Sequence, residues 1–183
     1  MRKIILPLAD GFEEVEAITV VDVLRRAGVE VLMVSVTGDI YVTGSHQISV
    51  KADSLFGSSG YRDAAMIVLP GGMPGAAHLD RHEGLKQLLA DFSREGKYLA
   101  AICAAPMVLG NLKLLINKNA TCYPGFEKYL DGAYLSDEGV VHDQHIITGK
   151  GAGFALAFAL KLAEILTGSE TASRVGEKML YGN

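Results

Sequence analysis

The chain predicts an α/β fold with a mostly parallel sheet covered by helices on both faces. Three observations carry that prediction. Most strand-like stretches are continuous apolar runs, as in strands buried on both sides. They alternate along the chain with stretches of helical periodicity. Glycine stands at nearly every junction, as in Asp10-Gly11, Gly28, Pro70-Gly71-Gly72 and Gly96.

Lys3–Leu8 (KIILPL) reads as the first buried strand, closed by Asp10-Gly11. Residues 14–27 follow as an amphipathic helix. Ala17, Val20, Val21, Leu24 and Ala27 share one face, and Gly28 supplies the stop. Glu13 and Glu14 are expected to face solvent at its start. Residues 30–36 (EVLMVSV) form a second buried strand. Residues 38–44 and 48–50 suggest a small hairpin at a sheet edge. Residues 65–69 make a third buried strand, ended by Pro70-Gly71-Gly72. Residues 85–95 are helical, with Gly96 as cap. Tyr98–Ile102 is the next strand, and residues 104–112 are the helix after it. Shorter strand signals lie at 120–123, 139–142 and 146–148. Residues 151–166 are apolar nearly all round, which marks a helix buried in the core or at a subunit contact. Residues 171–180 close the chain as a last helix.

A length of 183 residues suits one compact domain over 1–183. Net charge is −4, with acids and bases interspersed, so nothing resembles a nucleic-acid footprint. The most apolar stretch carries Lys161 and Glu164 and is too short to span a bilayer, so no membrane partner is expected. Met1-Arg2-Lys3 leads straight into the first strand without a signal-peptide pattern. Two cysteines, Cys103 and Cys122, do not make a disulfide framework. The expected setting is a reducing cytoplasm, where a thiol stays free. The five histidines show no metal-ligand spacing, and neither metal nor cofactor is expected.

In open parallel sheets, ligands bind beyond the carboxyl ends of the strands. Residues 9–16, 70–75, 103–106 and 148–153 all fall at such ends. Cys103 ends an apolar strand and is followed at once by small residues and a helix. That places a thiol at a sharp strand-to-helix turn, where the helix dipole favours thiolate. A buried structural thiol is the alternative. Glu16 falls in the first helical turn. Brought against a cysteine, its protonated carboxyl would donate a hydrogen bond to the sulfur, whereas ordinary acid enrichment at a helix start is the plainer account. Gly71-Gly72-Met73-Pro74-Gly75 can aim backbone N–H groups into a site as an oxyanion hole requires, or form a simple turn. No Gly-Lys-Ser/Thr follows, so Walker chemistry is excluded. His46 sits on the edge hairpin and could reach a site from a partner subunit. Lys150 could face the pocket or solvent. No histidine follows Cys103, so a Cys-His pair is not evident.

Taken together, these segments resemble the ThiJ/PfpI superfamily. More narrowly, they resemble the branch of the Parkinson-disease-associated protein deglycase and YajL. The residues that carry the likeness are Gly11-Phe12-Glu13-Glu14-Val15-Glu16-Ala17, residues 21–28, Val68-Leu69-Pro70-Gly71-Gly72, and Ala100-Ala101-Ile102-Cys103-Ala104-Ala105-Pro106. Lys150-Gly151-Ala152-Gly153 and the helix after it extend the match across essentially the whole chain. The resemblance implies a flavodoxin-like three-layer sandwich and a homodimer, with Asp22 and Arg26 near the interface. It implies that Cys103 is an easily oxidised nucleophile hydrogen-bonded by a protonated Glu16. The backbone N–H groups near Gly72 and Ala104 would then stabilise an oxyanion or a sulfinate. Gly71, Met73, Tyr123, Lys150 and His46 are the expected pocket residues around that pair. Three departures stand out. The protease-like branch has a histidine where this chain has Ala104. The human protein has a pocket histidine at Tyr123 and an arginine at Lys150.

The function this resemblance implies is a glyoxalase III or deglycase acting on methylglyoxal, glyoxal or their glycated adducts. A redox-sensing stress protein or chaperone without obligatory turnover is the alternative. A thiol peptidase or amidotransferase-like hydrolase is disfavoured by Ala104.

Overall fold

Continuous apolar strands need cover on both sides, and helices supply it here. The computed structural model describes residues 2–57 and 61–182. In chain order the elements are β1 (Lys3–Leu8), α1 (Glu14–Arg26), β2 (Glu30–Ser35), β3 (Tyr41–Thr43), β4 (Ser49–Lys51), β5 (Ser54–Leu55), β6 (Met66–Leu69), α2 (Gly75–Arg81), α3 (Glu83–Arg94), β7 (Tyr98–Ile102), α4 (Pro106–Asn111), β8 (Asn119–Ala120), β9 (Tyr134–Leu135), β10 (Val140–Asp143), β11 (Ile146–Gly149), α5 (Ala155–Thr167) and α6 (Ser169–Lys178). The central sheet runs β10-β11-β7-β6-β1-β2-β5. All its pairings are parallel except β10 with β11.

The period-two alternation of each strand sorts side chains into two cores. Ile4, Leu6 and Leu8 of β1, with Met66 and Val68 of β6, face α1, α5 and α6. Ile5, Ile67, Leu69, Leu99 and Ala101 face α2, α3 and α4. Phe158 and Leu162 of α5 and Phe92 of α3 are nearly fully buried on their respective sides. Each such side chain contributes about 1.5–3 kcal/mol by leaving water. The result is the three-layer α/β sandwich expected from the sequence.

The structure departs from the sequence reading at several elements. The hairpin β3–β4 is a separate antiparallel sheet, and the edge next to β2 is the two-residue β5. Helix α2 was not expected from the glycine-rich turn before it. The helix after Cys103 has six residues rather than nine. The strand expected at 120–123 shrinks to β8, paired in parallel with β9. Residues 152–154 make a short 3-10 turn before α5. Among the described residues, no helix is long and apolar enough to cross a membrane.

Candidate functional site

The site forms where three loops meet at the carboxyl ends of β1, β6 and β7. Strong mutual constraints hold those loops. Gly11 N–H donates to the Thr43 carbonyl at 2.8 Å, and Glu13 N–H donates to the Gly71 carbonyl at 2.9 Å. Gly72 has φ +86°, and a Cβ there would lie 2.4 Å from Glu13 N. Only glycine satisfies both the left-handed backbone and that approach.

Cys103 follows the last residue of β7. Alternation along β7 would turn its side chain toward α3, on the side of Leu99 and Ala101. Instead Cys103 has φ +65°, and its side chain packs on the α1 side of the sheet. This left-handed residue is the nucleophile-elbow geometry anticipated from the small residues around it. Its N–H donates to the Gly149 carbonyl at 2.9 Å, and its carbonyl accepts from Tyr123 N–H at 2.8 Å. These bonds tie the turn to β11 and to the segment after β8.

Glu16 reaches the same spot from the first turn of α1 and is fully buried. Its Oε2 accepts from Gly71 N–H at 2.8 Å. Oε1 has no hydrogen-bond partner among the described residues, and the Cys103 thiol is the side chain that acts on this carboxyl. A Cβ on Gly71 would stand 2.7 Å from Cys103 Cβ and 2.7 Å from Glu16 Oε2. Absence of a side chain there is what lets acid and thiol meet.

Burial pushes the Glu16 carboxyl up to about 7, with the Glu13 charge adding to it, against hydrogen bonds from Cys103 and Gly71. Burial also pushes the Cys103 thiol up to about 12, reinforced by the charge and hydrogen bond of Glu16. The N–H groups of Gly72 and Ala104 pull it back down. The sequence expectation of a dipole-favoured thiolate is therefore corrected. The following helix is short, and burial beside an acid outweighs it. The two groups titrate as a pair. Above the Glu16 midpoint they hold one proton between them. Thiolate forms when that proton resides on Glu16, and the two amides then serve the sulfur's charge.

The other expected residues spread out. Met73 and Tyr123 are half exposed on the surface around the turn. Lys150 donates from Nζ to the Asp137 carbonyl at 3.1 Å and only partly offsets the burial and the Glu127 charge that push the Cys122 thiol up. It therefore serves the β9–β10 connection. Asp22 and Arg26 pair with each other at 2.8 Å on the exposed side of α1, beside exposed Val15 and Ile18.

Glu14 is the residue sequence reasoning misplaced. It is buried, not solvent-facing. Its carboxylate accepts from His46 N–H at 2.7 Å and from Ser45 Oγ at 3.2 Å, and meets His46 Nδ1 at 2.9 Å. It thereby holds the β3–β4 hairpin onto α1. Burial raises this carboxyl, but hydrogen bonds from the His46 side chain, its own N–H and the His46 and Ile48 amides outweigh it and hold it at about 2. His46 in turn is raised by Glu14 and Glu13. The Gly44-Ser45-His46 turn was the available signal, since hairpin amides need an acceptor when covered. Glu13, Glu14 and His46 are also the one group among the described residues that gathers three possible metal-ligating atoms within 4.8 Å.

The sequence model of the DJ-1/PfpI family matches residues 2–165. Protein DJ-1 homolog B of Arabidopsis thaliana is 37% identical over 176 residues, covering 95% of this chain and 40% of that protein. Glutathione-independent glyoxalase DJR-1.2 of Caenorhabditis elegans is 33% identical over 168 residues, covering 91% of this chain and 89% of that protein. The structure of oxidized Toxoplasma gondii DJ-1 superposes with a TM-score of 0.94 at 36% identity, covering both chains completely. With a family match running from the first strand into α5 and a common fold throughout, this chain belongs to the DJ-1/PfpI family.

Proposed function

We propose that this chain is a cysteine-dependent, glutathione-independent glyoxalase. It converts methylglyoxal to lactate and glyoxal to glycolate, and it has a related capacity to release such adducts from glycated groups. The observation that carries this reading is the buried Glu16 carboxyl against Cys103, with Gly72 and Ala104 N–H aimed at the sulfur. The relative named as a glyoxalase supports it.

The chemistry needs one nucleophile and one proton carrier. The Cys103 thiolate adds to the aldehyde carbon, and the oxygen takes the Glu16 proton, giving a hemithioacetal. Glu16, now ionised, removes the C1 hydrogen as a proton. The electron pair moves toward the C2 carbonyl, whose oxygen is protonated. Return of a proton to C2 and loss of one from the C1 oxygen leave the thioester of lactate. Water cleaves the C–S bond and regenerates the thiol. Carbon C1 is oxidised and C2 reduced, so no external oxidant or cofactor enters the balance. In this reading residues 1–183 act as one domain in a cytoplasmic homodimer, with Asp22 and Arg26 at its interface. Tyr123 and Met73 stand at the pocket entrance, where His46 of the partner subunit is a further candidate.

The test is lactate formed from methylglyoxal, measured as product, by wild type and by Cys103→Ser. The reading requires many turnovers in wild type and none in the variant. Appreciable lactate from Cys103→Ser rejects it. Redox sensing is the second reading, favoured by the same two amides, which suit the oxygens of a cysteine sulfinate. Intact-mass titration with peroxide should add two oxygens at Cys103 before any at Cys122; the reverse order removes that reading.

A further inference from the structure

A cavity of about 320 Å³ opens beside the β1–α1 loop. Ala9, Asp10, Val36, His78, Arg81 and His82 line it, at the carboxyl ends of β1 and β2. That is where doubly wound sheets place ligands. Neither Cys103 nor Glu16 reaches it.

Its polar groups are arranged in advance. His78 Nδ1 sits 3.0 Å from the Asp10 carbonyl, which only accepts, so this nitrogen carries a hydrogen. His82 Nδ1 accepts from Leu85 N–H at 3.0 Å, so its hydrogen resides on Nε2. Both rings are thereby oriented: His82 Nε2 keeps a hydrogen to donate, and His78 Nε2 keeps a lone pair to accept. Arg81 forms no hydrogen bond or ion pair among the described residues, although Asp10 lines the same cavity. Asp10 Oδ1 is occupied by Thr43 N–H at 2.9 Å, and Oδ2 has no partner among the described residues. A guanidinium and the His82 Nε2–H thus share the cavity with two acceptors, His78 Nε2 and the half-used Asp10 carboxylate, and with Ala9 and Val36 as apolar walls.

The geometry points to a binding site for a small phosphate monoester carrying hydroxyl groups. The phosphate meets Arg81 and the Nε2–H of His82, while His78 Nε2 accepts from a hydroxyl of the remainder. Another hydroxyl of the remainder donates to Asp10 Oδ2. The two acceptors, which need a hydroxyl partner, argue for the ester over the inorganic ion.

The test is an amide NMR titration of the full chain at constant ionic strength with glycerol 3-phosphate, inorganic phosphate and glycerol. Glycerol 3-phosphate should give saturable shifts centred on Asp10, His78, Arg81 and His82, and glycerol none. Arg81→Gln, which removes an exposed group without partners, should weaken binding about tenfold or more. His78→Asn should weaken it as well. Inorganic phosphate should bind several-fold more weakly than the ester. Three results overturn the proposal: chloride reproducing the shifts, Arg81→Gln leaving the affinity unchanged, or inorganic phosphate binding as tightly as the ester. Lactate formation plays no part in this readout, so its outcome is independent of the glyoxalase reading.

Discussion

Glu14 and Glu16 stand two residues apart in the first turn of one helix, and both are buried. Yet one carboxyl is held at about 2 and the other is raised to about 7. Burial raises both, and it weighs more on Glu16, which lies deeper. The donors differ as well. Glu14 receives hairpin amides and faces an imidazole, all of which favour its charge. Glu16 receives the Gly71 amide and a thiol, with Glu13 as a like-charged neighbour. A helix start can therefore hold a structural anion and a proton carrier side by side, according to what faces each.

Exchanging each acid for its amide should separate the two roles. Glu16→Gln keeps the shape but cannot pass a proton. Lactate formation should fall by about 10²- to 10⁴-fold, with the circular dichroism spectrum unchanged. Glu14→Gln should leave lactate formation within a few-fold. It should destabilise the fold by about 1 kcal/mol in urea unfolding, because the part-buried hairpin donors lose a charged acceptor. A Glu16→Gln variant at wild-type rate would remove the proton carrier from the mechanism.

Gly71→Ala is the next largest. The added methyl displaces Cys103 from Glu16, and a shift near 1 Å costs about 10²-fold in rate. Alkylation of Cys103 by iodoacetamide should report the same displacement.

The pH dependence of stability should show opposite signs for the two acids. The depressed Glu14 carboxyl contributes stability that is present above its ordinary value near 4.5 and lost as pH falls toward about 2. The raised Glu16 carboxyl works the other way. Its contribution is complete below about 4.5 and is lost as pH rises through about 7. Glu14→Gln should flatten the acid limb of a melting-temperature profile, and Glu16→Gln the limb between about 4.5 and 7.

The smallest effect is expected at Lys150. Lys150→Ala should leave lactate formation within about twofold, since its ammonium faces Asp137 rather than Cys103.

Much of this was legible in the sequence, for physical reasons that differ by residue. The buried strands announce themselves because a parallel sheet tolerates only apolar runs. Cys103 is legible because alanines crowd the turn that follows β7. Its positive φ, and hence its turning toward Glu16, follows from that tight turn. Glu14 was not legible. Helical phase alone sends it to solvent, and only the hairpin folding over α1 buries it. Helix α2 was hidden by Pro74 and the glycines at its start, which read as turn. Lys150 was placed near the site by its position after β11, but the connection after β9 captures its ammonium.

The central claim is that Glu16 titrates near neutral pH, so that it can hold the proton while Cys103 attacks and pass it to the substrate, while Glu14 never holds one there. Carbon-13 NMR of the glutamate side-chain carboxyls across pH 2–9 tests it directly. The account predicts one resonance titrating near 7 that disappears in Glu16→Gln and shifts in Cys103→Ser, and one titrating near 2 that disappears in Glu14→Gln. Two ordinary titrations near 4.5, unmoved by Cys103→Ser, would contradict it.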